Sequence, residues 1–180
     1  MRCLIPIAAL CLALTPISGA TLEKLSLDDM ISKSTAVVRG RVQSCAGEVR
    51  GPIIYTRCRV AVTEQWKGTP ASSVDVRIPG GTANGLTQTF AGSPTLSESE
   101  EYVLFLWTGK SGITQLIGLS QGVLTIRTDA KGDPQAQRDQ ITEKMVSAAG
   151  NPVQDKGLQI SVKDLKDRVN KTAGSTGGGE

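Results

Sequence analysis

The side chain most often used in nucleophilic catalysis and at zinc sites, histidine, is missing from this chain. Its 180 residues include no histidine, which excludes a Ser-His-Asp triad, a Cys-His pair and a zinc site with imidazole ligands. A Ser-Lys dyad has no Ser-x-x-Lys motif to support it. The nearest pattern, Ser161-Val162-Lys163, has the wrong spacing and is typical of the start of a helix. We therefore predict that the protein is not an enzyme and uses no metal or cofactor.

Clustered acids and a glycine-rich loop are two further features that could act on a ligand. The acids are Asp28, Asp29, Glu98, Glu100 and Glu101. Paired carboxylates do acid–base work only when a cleft holds them at substrate-scale separation, whereas exposed acidic runs are usually solvated. The glycines lack a following helix whose N terminus could hold a phosphate; they are Gly80, Gly81 and Gly85. We interpret the acids as solvated surface charges and the glycines as part of a flexible loop, and we assign neither a catalytic role.

Two cysteines, Cys45 and Cys58, lie in β-branched, alternating runs that flank a turn at Gly51-Pro52. This arrangement predicts a long hairpin closed by a disulfide, with two separate buried thiols as the alternative. The bond has a consequence for geometry, because Val38 and Val42 place even-numbered residues on the core face while Cys45 is odd-numbered. Directly paired residues share a face. The disulfide therefore predicts a bulge or a strand end between Val42 and Cys45.

The same hairpin carries the most suggestive binding residues. One face combines four arginines with a single aromatic residue that could stack on a ligand; they are Arg39, Arg41, Arg57, Arg59 and Tyr55. Basic surfaces of this kind bind anionic polymers, and nucleic-acid sites usually add several aromatics. With 3% aromatic residues in the whole chain, nucleic acid is not expected as a partner. The alternative is a face that is only solvated.

The N terminus has the features of an export signal. Arg2 precedes an apolar run, and Ser18-Gly19-Ala20 is a small-residue cleavage site, so we expect residues 1–20 to be removed. That run is too short to span a bilayer, and no later segment is apolar and long enough to do so. Lipidation at Cys11 is an alternative, which the bulky Leu10 disfavours. We predict a periplasmic or secreted protein, and an oxidising compartment of that kind supports the disulfide.

The predicted elements follow from hydrophobic periodicity. A short helix over 21–33 begins with a capping pair, Ser26 and Asp29. Strands are predicted over 36–44, 53–63 and 73–79, a weak one over 86–90, a fully buried one over 102–107, and a closing hairpin over 113–119 and 122–127. About six short strands without βαβ alternation favour a mainly β fold, a small antiparallel barrel over 21–128.

The remainder of the chain is more polar. Residues 129–173 are predicted to form a partly helical extension, with a possible helix over 137–149 and a better one over 161–171 that repeats the capping pattern at Ser161 and Asp164. Residues 174–180 are too rich in glycine to be ordered.

Several short motifs resemble netrin-like domains, including the tissue inhibitors of metalloproteinases. The first is Ala36-Val37-Val38-Arg39-Gly40-Arg41-Val42, and others are Tyr55-Thr56, Trp66-Lys67-Gly68 and Glu101-Tyr102-Val103-Leu104-Phe105-Leu106. The resemblance covers roughly residues 35–107. It implies a five-stranded barrel of the oligonucleotide/oligosaccharide-binding type. The layout also resembles exported bacterial proteins, some of which are associated with secreted metalloproteases.

One departure affects the function that this resemblance implies. The metalloproteinase inhibitors chelate the protease zinc with an N-terminal cysteine, whereas the processed chain is expected to begin at Thr21. Neither remaining cysteine is near that end, so the inhibitory residue has no counterpart. The sequence favours a non-enzymatic binding module whose partner is a protein such as a secreted protease. The alternative is a binder of anionic polymer or carbohydrate that uses the arginine face.

Overall fold

The computed structural model describes residues 21–176, so the predicted signal, Cys11 and residues 177–180 lie outside the described residues. Thirteen strands and two helices are assigned in this part of the chain, with one short 3-10 helix at Leu119–Gly122. In chain order the elements are β1 (Leu22–Glu23), α1 (Leu27–Lys33), β2 (Ala36–Arg50), β3 (Ile53–Lys67), β4 (Ser73–Pro79), β5 (Gly81–Ala83), β6 (Leu86–Gln88), β7 (Glu101–Thr108), β8 (Thr114–Leu116), β9 (Val123–Thr128), β10 (Pro134–Arg138), β11 (Met145–Val146), β12 (Pro152–Val153), β13 (Leu158–Ser161) and α2 (Val162–Thr176).

The main sheet has the strand order β13-β10-β9-β7-β2-β3-β4, and β8 pairs with β7 outside this path. All of its ladders are antiparallel. A hairpin of β5 and β6 and a small sheet of β1, β11 and β12 complete the β structure, with β1 parallel to β11. The mainly β, antiparallel fold that the sequence predicts is therefore confirmed, together with a helix near each end.

Strand β7 lies at the middle of the sheet and is buried on both faces, as its continuous apolar run predicts. Its even-numbered residues enter one core with β2, β3 and β4; they are Tyr102, Leu104 and Leu106. Val103 and Phe105 enter a second core on the opposite face, which α1 and α2 cover. Full burial of an apolar side chain of this size contributes about 1.5–3 kcal/mol. One core thus lies between β7 and the strands β2, β3 and β4, and the other lies between β7 and the two helices.

Both helices begin at the predicted capping residues. Ser26 caps α1 with a complete capping box, in which its hydroxyl accepts from the backbone N–H of Asp29 and the Asp29 carboxylate accepts in return. The helix begins at Leu27 and not at residue 21 as predicted, because Leu22–Glu23 forms β1. The Ser161 hydroxyl likewise accepts from the backbone N–H of Asp164 at the start of α2. This helix extends to Thr176.

The β2–β3 hairpin contains both the predicted disulfide and the predicted irregularity. Cys45 and Cys58 are bonded to each other and directly paired in the ladder. The register shifts between Val42 and Ser44, which changes the face parity just before Cys45. Both strands are longer than predicted and reach Arg50 and Lys67. The hairpin thus projects past the end of its ladder with β7, and the disulfide joins its two strands where the extension starts.

Two predicted elements are wrong. Residues 113–119 and 122–127 do not form a hairpin, since β8 and β9 bond to the same edge of β7 at successive positions. Between them the chain leaves the sheet at Gly118 and Leu119, which both have positive φ. Residues 137–149 are not helical; β10 starts at Pro134 and pairs with β9 and β13. Its polar side chains alternate with the buried Ala136, and this alternation is typical of a strand.

The β5–β6 hairpin lies against the β2–β3 hairpin at a glycine. A side chain at Gly47 would collide with the backbone carbonyl of Thr82 and the side chain of Ala83. Only glycine permits this close approach. Gln88 of β6 joins this hairpin to the start of β3. Its side-chain oxygen accepts from the backbone N–H of Ile54, and its amide donates to the Pro52 carbonyl. Within residues 21–176 neither helix is long and apolar enough to cross a membrane.

Candidate binding surface

The outer face of β2, β3 and β4 divides into a part that α2 covers and a part that stays open. On the open part, alternation places Arg57 and Arg59 of β3 beside Arg77 of β4. Arg57 and Arg77 are direct ladder partners, so two cations lie side by side. Arg50, near the tip of β2, completes the group. We call these four residues, Arg50, Arg57, Arg59 and Arg77, the arginine surface.

Two carboxylates fix most of the arginine surface in place. Glu48 accepts contacts from three guanidinium groups: its oxygens lie 2.7 Å from Arg50 Nε, 3.6 Å from Arg57 Nε and 3.3 Å from Arg77 Nε. The second carboxylate, Asp75, lies 3.8 Å from Arg57 Nη1. Without these acids the ladder partners Arg57 and Arg77 would repel each other. The carboxylates therefore hold the cations together as a preformed cluster.

The cluster keeps an excess of positive charge. Four guanidinium groups face two carboxylates, and within residues 21–176 no carboxylate lies within ion-pair distance of Arg59, whose Nη2 contacts the Ser73 hydroxyl at 3.4 Å. The Arg57 side chain is 48% exposed. Tyr55 lies on the same face, paired with Glu48 on one side and Pro79 on the other. An exposed and pre-positioned cationic face attracts anions.

The other two predicted arginines have different surroundings. Arg39 lies between two acids, with Nη1 2.9 Å from Glu64 and Nε 2.9 Å from Glu101. Glu101 also lies 3.9 Å from the more exposed Arg41, which donates to the backbone carbonyl of Ser99. The structure therefore brings Tyr55, Arg57 and Arg59 together with Arg77, and places Arg39 in a separate, neutralised network that borders α2.

Glu64 is the centre of this network and joins the sheet to α2. It accepts from Lys166 of α2 at 2.7 Å, from the Trp66 indole at 3.1 Å and from Arg39. Hydrogen bonds from Lys166 and Trp66, against an opposing effect of burial, lower the pKa of Glu64 to about 2. The charged form is thus strongly preferred in the folded protein. Three of the chain's elements meet at this one carboxylate.

The lowered pKa of Glu64 predicts a specific acid sensitivity. The unfolded chain binds a proton at Glu64 near pH 4.5 and the folded chain only near pH 2, so this contribution is complete above pH 4.5 and is lost as the pH falls toward 2. After solvent screening we expect it to be about 1 kcal/mol. The free energies of unfolding of wild type and Glu64→Gln should therefore differ by that amount at pH 6, and the difference should be clearly smaller at pH 2. An equal difference at both pH values would contradict this role.

Each acidic residue singled out in the sequence has an ion-pair or hydrogen-bond partner in the fold. Asp28 pairs with Arg168 at 2.8 Å, Glu100 pairs with Arg127 at 2.9 Å, and Glu98 accepts from the backbone N–H of Cys45. The Gly80-Gly81 segment leads into β5, with the Gly80 N–H donating to the Ile54 carbonyl. Among the described residues, no three potential ligand side chains of His, Cys, Asp or Glu are grouped to hold a metal ion.

Sequence reasoning missed Arg50 and Arg77. A signal for Arg77 was present, because Val74, Val76 and Ile78 alternate with it and place it on the polar face of its strand. Its position next to Arg57 depends on the register of β4 against β3, which no short motif specifies. The chain matches no protein-family model and no curated protein.

Proposed function

We propose that the protein is an exported, non-enzymatic binding module that binds an anionic polymer or carbohydrate through the arginine surface. The observation that supports this function is the preformed excess of cations on the face that α2 leaves open. Glu48 restricts the guanidinium groups of Arg50, Arg57 and Arg77 before the ligand arrives, so that less side-chain entropy is lost on binding. A guanidinium group also matches carboxylate and sulfate oxygens with paired N–H donors.

The first test compares two double variants that lose the same charge. Arg57→Ala/Arg59→Ala should weaken binding to a polyanion such as polygalacturonate by about tenfold or more, because each charge-assisted contact contributes about 1.5 kcal/mol or more. Arg127→Ala/Lys131→Ala removes two exposed cations outside β2–β4 and should change the dissociation constant less than threefold. Calorimetric titration measures both. Equal losses in the two variants would indicate a general charge effect and reject the assigned surface.

A protein partner, such as a secreted protease, is the second candidate. It is favoured by exposed apolar side chains at the far end of the two hairpins: Val49 near the tip of β2 is 47% exposed and Leu86 at the start of β6 is 67% exposed. Exposed apolar groups are common in contact surfaces. Inhibition of purified secreted metalloproteases by the wild-type protein, lost in Val49→Asp/Leu86→Asp, would support this candidate. No inhibition across such a panel would reject a secreted metalloprotease as the protein that is inhibited.

A netrin-like barrel remains our proposal for the finer architecture. It is supported by the position of β4, which lies against β8, so that β8-β7-β2-β3-β4 curl toward each other. No hydrogen-bonded ladder joins β4 to β8 within the described part of the chain. The Cys45–Cys58 bond lies within the hairpin and far in sequence from Thr21. Zinc chelation by a terminal cysteine therefore forms no part of the proposed function.

A further inference from the structure

Trp107 is a large aromatic residue exposed on the outside of the sheet. The chain has two tryptophans, and the other, Trp66, is 6% exposed with its indole N–H bonded to Glu64. Trp107, in contrast, is 45% exposed. It follows Val103 and Phe105 on the outer face of β7, just beyond the part that pairs with β2. Because this indole is exposed on the outside of the sheet, packing of the core does not explain its presence.

The indole of Trp107 has a defined position. A side chain at Gly109 would lie 2.8 Å from its Cη2 atom and 3.1 Å from its Cζ3 atom, so the outer edge of the ring lies close to this glycine. Its strand is fixed in turn by the ladder between Trp107 and Gln115. The glycine therefore supports one edge of the ring, while a large part of the residue stays accessible. This is the geometry of a stacking platform, which loses little freedom when a ligand binds.

A groove connects this ring to the arginine surface. The groove has a volume of about 170 Å³ and runs between β4 and β8, with Trp107 and Gln115 on one side and Arg77 and Pro79 on the other. Arg77 is also the ladder partner of Arg57 and a contact of Glu48. The aromatic ring and the cations thus belong to one continuous surface. A ligand that extends from Trp107 across Arg77 reaches Arg57 and Arg59 without leaving the protein.

We infer that this surface binds an acidic polysaccharide, with a pyranose ring stacked on Trp107 and neighbouring carboxylate groups on Arg57 and Arg59. This inference rests on the proposed function and names its ligand class. A pyranose presents a flat face of C–H groups that packs on the electron-rich face of an aromatic ring, and Gln115 offers an amide to its hydroxyls. Uronate units repeat the carboxylate along the chain, which matches the repeated cations Arg57 and Arg59 on one face of β3.

The single aromatic ring of the groove separates this ligand from two other anionic classes. An acidic peptide would use the cations but gain little from a ring that accommodates a flat sugar face. A single-stranded nucleic acid would need several stacking residues for successive bases, and the groove contains one aromatic side chain among its lining residues. Both classes are outcomes of the experiment below.

The experiment measures affinity and tryptophan fluorescence with four polymers: polygalacturonate, neutral dextran, poly-glutamate and single-stranded DNA. We expect polygalacturonate to bind most tightly and to change the emission of the wild-type protein. Trp107→Ala should weaken that binding by about tenfold, the loss caused by removing one stacking aromatic. Trp107→Phe should restore the affinity to within about threefold of wild type, while the fluorescence change disappears because only Trp66 remains.

The outcomes distinguish this inference from the proposed function. If Trp107→Ala binds polygalacturonate as well as wild type while Arg57→Ala/Arg59→Ala does not, stacking is rejected and the arginine surface stands. Tighter binding of poly-glutamate or of DNA would reject a polysaccharide in favour of that class. If the arginine variant binds unchanged, both proposals fail. Unfolding curves of each variant, matched to wild type, show that a loss of binding is not a loss of fold.

Discussion

Asp155→Ala is expected to cause the largest loss of stability of any substitution considered for this chain, about 3–5 kcal/mol. The Asp155 carboxylate is buried, with its side chain 4% exposed, and lies 2.5 Å from Nη1 of Arg138. It also accepts from the backbone N–H groups of Ile141 and Gly157. Alanine would leave the enclosed Arg138 without its counter-charge and two N–H groups without their acceptor.

The effect of Asp155 is structural, because its partners come from separate segments. Arg138 ends β10, while Ile141 and Gly157 lie in the connections on either side of β11 and β12. Burial by itself would raise the pKa of Asp155, but the hydrogen bonds from Arg138 and from the two backbone N–H groups hold it well below its ordinary value. The carboxylate therefore stays charged to a pH well below that at which an ordinary aspartate gains a proton, and it holds together the connections that precede β13.

Chemical denaturation at pH 7 measures this loss, with Asp133→Ala as the matched control. Asp133 is exposed, and its replacement should change the free energy of unfolding by less than about 0.5 kcal/mol. A midpoint of thermal unfolding lowered by about 10 °C would accompany the Asp155 variant. If the two variants unfolded with the same free energy, Arg138 and Asp155 would not hold these connections together.

Removal of the Cys45–Cys58 bond is expected to cost about 2–3 kcal/mol. The bond closes a short loop, since the two residues are 13 positions apart, and the loop-entropy model gives a stabilisation of this size. The replacement is Cys45→Ala/Cys58→Ala, because a serine hydroxyl at the fully buried Cys58 would add a cost of its own. The hairpin beyond the bond, which carries Glu48 and Arg50, should also become more mobile.

Reduction provides an internal control for the disulfide. A reductant should destabilise the wild-type protein by nearly the same 2–3 kcal/mol and leave the double alanine variant unchanged. Hydrogen exchange should show faster exchange at the hairpin tip in the variant, with β7 still protected. A wild-type protein whose stability does not respond to reductant would show that the bond does not constrain the fold.

The elements that could be predicted from the sequence are those determined by neighbouring residues. The capping residues Ser26 and Ser161 start their helices because a hydroxyl three positions before an acid satisfies the first amides. The unbroken apolar run of β7 requires burial on both faces, which only a central strand provides. The bulge before Cys45 follows from parity, once the disulfide is assumed.

The features that could not be predicted depend on long-range pairing. Strands β8 and β9 share an edge of β7 because residues 117–122 separate them, with positive φ at Gly118 and Leu119. Hydrophobic periodicity does not reveal which edge a strand uses. Strand β10 has a polar composition and is held by its two neighbours. Tertiary pairing thus overrides local propensity there.

The binding surface was predictable only in part for the same reason. Arg57 and Arg59 alternate with buried residues on one strand, so their common face follows from the sequence. Whether Arg39 belongs with them depends on Glu64 and Glu101, which are distant in sequence and neutralise it. The contribution of Arg77 and Trp107 depends on how β4 lies against β8.

The central claim is that Arg57 and Arg59 contact an anionic polymer directly, and the salt dependence of binding tests it. Each cation that neutralises a polymer charge releases a counterion, so the association constant falls as a power of the salt concentration. Between 50 and 200 mM salt, the double-logarithmic slope for polygalacturonate should be smaller by about 2 for Arg57→Ala/Arg59→Ala than for wild type. The Arg127→Ala/Lys131→Ala control should keep the wild-type slope. Equal slopes for wild type and Arg57→Ala/Arg59→Ala would show that these arginines do not contact the ligand.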